Sequence, residues 1–157
     1  MKKLLIIFSI TLLAASAGAQ TYKGSKTLSI EDKLNQLYCT GLFQTTDGTI
    51  LDVATSNTAR SYQNILDWID GRIAGLQVYR SGSGTLVPII RGGIPGIYLD
   101  EQPITLNELS LINSTTIAIV KVIKTPFMGG FNGSNGAIAI YTAYEENDED
   151  DETVVIK

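Results

Sequence analysis

The sequence predicts an α+β fold, a small mixed β-sheet with short helices, and three observations carry that expectation. Residues 61–73 place Ile65, Ile69 and Ile73 four apart with Leu66 and Trp68 beside them, which is one apolar face of a helix. Residues 117–124, IAIVKVIK, are almost continuously apolar and β-branched, as a strand covered on both faces requires. Short alternating runs at 76–80, 97–100 and 137–142 are set off by Gly, Pro and Asn turns, which reads as strands interleaved with helices.

Taken in order, the chain opens with a basic n-region at Lys2 and Lys3, an apolar stretch over 4–15, and the small residues Ala17-Gly18-Ala19 before Gln20. That pattern predicts a signal peptide over 1–19, cleaved on export, with the mature protein in the periplasm or at the periplasmic face of the outer membrane. A bilayer span needs about 20 apolar residues, and no second long apolar run follows, so the mature chain is expected to carry no transmembrane segment. The remainder is one domain's worth of chain.

Composition excludes several chemistries. The 157 residues include no histidine, which removes Ser-His-Asp triads, Cys-His dyads and histidine-held metals. Cys39 is the single cysteine, so no internal disulfide forms, and it reads as a small, half-buried apolar residue. Basic and acidic residues balance over 20–144 with no basic stripe, so nucleic acid is not an expected partner. The acidity is concentrated in 145–152, where every residue except Asn147 is acidic, and 145–157 reads as a disordered, self-repelling tail. It lacks the spaced oxygen ligands and Gly of a formed calcium loop.

Residues 20–60 read as a weakly structured N-terminal extension. Within it a short helix is expected over 31–38, with Ser29 as N-cap and Asp32 in its first turn. A turn at 45–48 then leads to a brief strand over 50–53, and 55–60 reads as a polar linker. A domain over 61–144 follows. Its first helix runs to Ile73, capped by Ser61 or Asn64 and closed by Gly75, with Gly71 in the last turn. Residues 76–80 form a strand, 81–84 a flexible turn, and 86–91 an extended segment in which Pro88 favours an edge position. Gly92-Gly93 and Pro95-Gly96 bracket a tight loop, 97–100 is a strand, and 101–103 reverse the chain. Thr105 and Glu108 form a capping box that opens a short helix to about Ile112. The Gly- and Asn-rich stretch 129–136 is a turn whose glycines let the strand 137–142 dock beside 117–124.

Five of these motifs, in order, resemble the plug domain of TonB-dependent outer-membrane receptors. Residues 64–78, NILDWIDGRIAGLQV, are similar to that family's helix ending in Gly-Arg-x-x-Gly-x-x-Val. Ile90-Arg91-Gly92 resembles its Ile-Arg-Gly element, and 97–104 its strand ending in Asp-Gly-x-Pro. Residues 117–126 resemble its strand ending in Val-x-Lys-Gly-Pro, and 131–142 its aromatic-Gly-Ser-x-x-Gly-x-Ile-x-Ile-x-Thr closure. The resemblance implies a plug that fills a barrel lumen, touches ligand with its outer loops, and is pulled through a box by the TonB protein. The chain departs from the pattern in four places. Glu101 and Thr125 each stand where the family has Gly, and a glutamate resists positive φ. No convincing box precedes the plug; Thr153-Val-Val-Ile156 has that flavour at the opposite end. No barrel strands follow, since each needs about 10 residues.

The candidate contact residues are Arg91, Gly92, Gly93, Pro95 and Gly96 in one loop, and Phe131, Asn132 and Asn135 in the other. Arg91 is read either as pairing with acidic groups on a barrel wall or as pairing within the domain, for instance with Asp100. Residues 81–85 form a further exposed loop, which reads as a solvated turn or a ligand contact. Asp67, Asp70, Asp100, Glu101 and Glu108 are carboxylates without a partnering nucleophile. The Gly pairs lack phosphate-cradle spacing, so no cofactor is expected. The sequence thus predicts a non-enzymatic, exported plug-like module of outer-membrane uptake that acts by protein or ligand contact. Its expected partner is an outer-membrane β-barrel or a TonB-like envelope protein, with the ligand unspecified. The alternatives are a periplasmic interaction domain that uses the same fold without a transport role, and a small periplasmic hydrolase.

Overall fold

A computed structural model describes residues 28–130 and 132–143. The expected signal peptide, Phe131 and the acidic segment 145–157 lie outside the described residues. Among the described residues four short α-helices and seven strands follow one another: α1 Ile30–Tyr38, α2 Gly41–Thr45, β1 Thr49–Asp52, α3 Ile65–Ile69, β2 Leu76–Arg80, β3 Leu86–Ile90, β4 Gly96–Leu99, β5 Gln102–Pro103, α4 Leu106–Leu109, β6 Ile117–Ile123 and β7 Ala137–Thr142. Five strands form one mixed sheet in the order β1-β6-β7-β4-β5, and β2 and β3 form a separate antiparallel hairpin. β4 and β7 are the parallel pair of the larger sheet, with Gly96 opposite Ala137 and Leu99 opposite Ile140.

Every residue of β6 is buried, because both faces of the sheet are covered. On one face Val120, Val122, Ile138, Ile140 and Ile97 meet α3, the β2–β3 hairpin and α4. On the other, Ile119, Ile123, Ala137, Ala139 and Tyr141 meet Phe43, Tyr98 and Phe127 beneath α1 and α2. A bulge between Ile117 and Ile119 lets Ala118 and Ile119 join the same cluster. The small alanines of β7 leave room for the aromatic layer, in which the Phe43 ring lies 5.0 Å from Tyr98 and 4.6 Å from Phe127.

Three expectations are corrected. The helix expected over 61–73 is helical only at Ile65–Ile69; Asn64 caps it by accepting from Leu66 N–H, and Gly71 follows at φ 71°. Its apolar spacing reflects burial of Ile65, Leu66, Trp68 and Ile69 in turn, and Ile73 reaches the same core from a non-helical turn. The described part of 20–60 is not weakly structured. It supplies α1, with a full Ser29–Asp32 capping box, and α2, and β1 pairs antiparallel with β6. These elements are four to nine residues long, too short for a strong period. Cys39 is 1% exposed, not half-buried. Burial pushes its thiol up, against a lowering hydrogen bond from Tyr141.

Lys121 sits inside the apolar run of β6, 2% exposed. Its ammonium donates to Asn35 Oδ1 at 2.7 Å and to the Phe43 carbonyl at 2.5 Å. A long aliphatic stem with a polar tip makes this possible, and burial lowers its pKa from the usual 10.5.

Candidate functional site

The two loops singled out in the sequence meet at one end of the five-stranded sheet. Ile90 and Gly93 exchange backbone hydrogen bonds around Arg91-Gly92, whose φ values are 53° and 80°. Positive φ at both residues is the mark of a type I′ turn, which suits the twist of the flanking chain. Gly93 then lies against Asn135, so closely that a Cβ on Gly93 would overlap the amide. Gly96 N–H donates to the Gly136 carbonyl at 3.0 Å, which starts the parallel β4–β7 ladder. Asn132 adopts the left-handed conformation at φ 60° and is exposed, and Asn135 is half-buried.

Beside this junction an open groove of about 420 Å³ runs between Ile94, Pro95 and Ile97 on one wall and Pro103, Ile104 and Leu106 on the other. Thr105 and Asn132 provide its polar groups, and none of the lining side chains is charged. In the second wall Pro103 and Ile104 end the 97–104 motif, and Leu106 lies within the Thr105–Glu108 capping box. That box forms: Glu108 N–H donates to the Thr105 hydroxyl at 3.2 Å, and the Glu108 carboxylate accepts from Thr105 N–H at 2.7 Å. The Thr105 N–H, together with the Thr105 hydroxyl donating at 2.9 Å, holds the Glu108 carboxyl below its usual range. Pro103 has no N–H to offer, and the Thr105 N–H is taken, so the β5 edge cannot extend the sheet by a full ladder.

Arg91 is exposed, and among the described residues it makes no ion pair. The pair with Asp100 considered from the sequence does not form. Asp100 accepts instead from Thr142 N–H and from the Thr142 hydroxyl, both at 2.9 Å. Pro95 and Gly96 are buried, so of the first loop Arg91, Gly92 and Ile94 present the exposed surface. Residues 81–85 lie at the far end of β3 from Arg91, closed by Ser81 N–H to Thr85 carbonyl and Gly84 N–H to Ser81 carbonyl bonds, and do not join the site. Arg80, beside that turn, pairs with Asp67 at 3.3 Å.

The turn expected to resist Glu101 is present. Asp100 and Glu101 hold φ of 46° and 68° between the paired residues Leu99 and Gln102. The strain is offset by the carboxylates, Asp100 on Thr142 and Glu101 on Thr40 and Tyr141. Among the described residues no group of three or more acidic or cysteine side chains is placed to hold a metal, and no helix is long and apolar enough to cross a membrane.

No protein-family model matches the chain, and no curated protein matches it in sequence. Solved structures do match. A chain of the RagAB peptide importer in its closed-closed state aligns with a TM-score of 0.52 and 20% identity, over 68% of this chain and 13% of that one. The siderophore receptor PirA from Acinetobacter baumannii aligns with a TM-score of 0.50 and 18% identity, over 62% of this chain and 17% of that one. A mutant of the ferric enterobactin receptor PfeA from Pseudomonas aeruginosa aligns with a TM-score of 0.50 and 16% identity, over 74% of this chain and 19% of that one. The chain therefore spans less than a fifth of the length of each of these three chains. At these identities the likeness shows the fold, and that fold is the plug-like α+β domain of TonB-dependent receptors.

Proposed function

We propose that this chain is an exported plug-like module of outer-membrane uptake, delivered by the leader at 1–19 and acting by contact with a protein or ligand rather than by catalysis. Its contact face is the junction of 91–96 with 132–135 and the uncharged groove beside it. The observation that supports this most directly is the meeting of two loops some 40 residues apart, Gly93 against Asn135, with Arg91 exposed beside them and in no ion pair among the described residues. Exposed residues on loops held by a rigid sheet are well placed to bind, and an unpaired guanidinium suits a carboxylate on a partner. The proposed partner is an outer-membrane β-barrel or a TonB-like envelope protein.

The test places a photo-crosslinker at Ile94, Asn132 or Gly82 of the tagged chain in envelope extracts. Crosslinks to a β-barrel or TonB-like protein from Ile94 and Asn132, and not from Gly82, support the reading. Equal labelling from all three positions, or an unpartnered monomer, refutes it.

A second reading, an interaction domain without a transport role, draws on α1. That helix buries no side chain, and Ile30 and Leu37 are 73% and 69% exposed. Barrel lumens are polar, so an apolar stripe of this kind fits a separate protein surface better. A crosslinker at Leu37 that captures a partner other than a barrel would favour it.

A further inference from the structure

The Asp100-Glu101 turn does more than reverse the chain. Two-residue turns of this type favour Asn-Gly because both positions need positive φ, yet this one is Asp-Glu at 46° and 68°. The Glu101 carboxylate reaches 61 residues back along the chain: Oε1 accepts from Thr40 N–H at 2.6 Å and Oε2 from the Thr40 hydroxyl at 2.5 Å. Oε1 also accepts from the Tyr141 hydroxyl at 3.2 Å. Thr40 is the N-cap of α2, but its hydroxyl makes no capping bond there, because it is committed to Glu101.

What Glu101 grips is the junction of the two N-terminal helices. Apart from that grip, the layer is held by a small set of side chains: Cys39 and Phe43 enter the core, Leu34 and Tyr38 pack partly buried against it, and the Lys121 ammonium ties the layer at Asn35 and at the Phe43 carbonyl. The layer turns the Cys39 thiol into the core, and beneath it lie the Lys121 amine and the Tyr98 hydroxyl, which is buried and has no hydrogen-bond partner among the described residues. The opposite face of the sheet is packed independently by α3, the hairpin and α4.

We propose that Glu101 is the latch of a hinged N-terminal layer: residues 30–45 leave the sheet as one unit when the Glu101–Thr40 contact is lost, while β4, β6 and β7 stay folded. Regions with few buried apolar contacts are those that open locally below the global unfolding free energy. The opened state presents the aromatic face of the sheet and the Lys121 amine to water. This device does not depend on which partner meets the groove.

Cys39 reports on the latch, because it is the only cysteine, is 1% exposed and precedes Thr40. The experiment measures the rate at which a soluble aromatic disulfide labels Cys39 in the full chain, across low urea concentrations. Hydrogen exchange of the β6 amides is followed in parallel. Glu101→Gln is expected to label at least tenfold faster than the parent, with a rate insensitive to low urea and with β6 amides still protected. Thr40→Ser keeps both donors and is expected to label at the parent rate. Glu101→Gln labelling at the parent rate would overturn the proposal. So would labelling that tracks global unfolding throughout the urea series, or loss of β6 protection in Glu101→Gln.

Discussion

Gly133→Ala tests whether the glycine-rich stretch is backbone geometry. Gly133 is buried, and its carbonyl accepts from Phe127 N–H at 2.6 Å. A Cβ at this position would fall well under 3.0 Å from the Phe127 carbonyl oxygen, a backbone atom that cannot rotate away. The chain must therefore separate 127 from 133. Overpacking of this kind costs about 1–3 kcal/mol, and the loss of one hydrogen bond about 0.5–1.5 kcal/mol. Moving Phe127 also disturbs its contacts with the Phe43 and Tyr98 rings, at 4.6 Å and 5.7 Å, each worth about 0.5–1.5 kcal/mol. The expected destabilisation is about 2–5 kcal/mol, a large part of the roughly 5–15 kcal/mol that holds a domain together. In melting temperature this is a fall of about 8–20 °C. Urea denaturation followed by far-UV circular dichroism measures it, with Gly82→Ala as control. A Cβ on Gly82 would meet nothing within 4 Å, and Gly82 has no positive φ, so alanine there is expected to be neutral or to stabilise by up to about 1 kcal/mol. A Gly133→Ala midpoint within about 0.5 kcal/mol of the parent would refute the close-approach argument.

Arg91→Gly removes a non-glycine residue from φ 53° and is expected to stabilise by about 0.5–1 kcal/mol while weakening partner crosslinking; a clear fall in melting temperature would indicate an intramolecular role. Asp100→Ala deletes the acceptor for Thr142 N–H and hydroxyl and is expected to cost about 1–3 kcal/mol in urea denaturation, with Asp100→Asn milder; equal stability of both with the parent would refute it. Stability is expected to fall in alkali. Burial raises the Cys39 thiol above its ordinary 9.0 and the Tyr98 and Tyr141 hydroxyls above 10.0. The folded chain therefore keeps protons that the unfolded chain releases, and stability present below about pH 9 is lost above it, by up to about 1.4 kcal/mol per proton per pH unit. Lys121, lowered by burial from 10.5, works the other way, since the unfolded chain binds the extra proton below that value, but it is one group against three. Cys39→Ala should move the onset toward about pH 10, where tyrosine begins to titrate, and an unmoved onset in urea titrations would sink the assignment.

Much of the fold is legible where the signal is local or periodic. β6 announces itself as IAIVKVIK, the Thr105–Glu108 box as a four-residue motif, and the 129–136 turn by its Gly and Asn residues. Each depends on residues a few positions apart, so sequence order carries it. The candidate site is half legible. Its two loops stand out by composition, but that Ile104 and Leu106 face Ile94 and Pro95 across a groove follows from tertiary packing and not from the motifs they sit in. The N-terminal layer is hard to read because its hold on the sheet lies in contacts with residues far along the chain, Thr40 to Glu101, Asn35 to Lys121 and Phe43 to Tyr98 and Phe127.

The sequence by itself determined the α+β class, the buried central strand, the absence of histidine chemistry and the plug-like order of motifs. Tertiary structure alone decided that Lys121 is buried, that Arg91 finds no ion-pair partner among the described residues, and that a glutamate is tolerated at φ 68°. The physical reason is the same in all three. Whether a charge or a strained backbone angle is tolerable depends on partners that the chain brings from tens of residues away, and no local pattern encodes them.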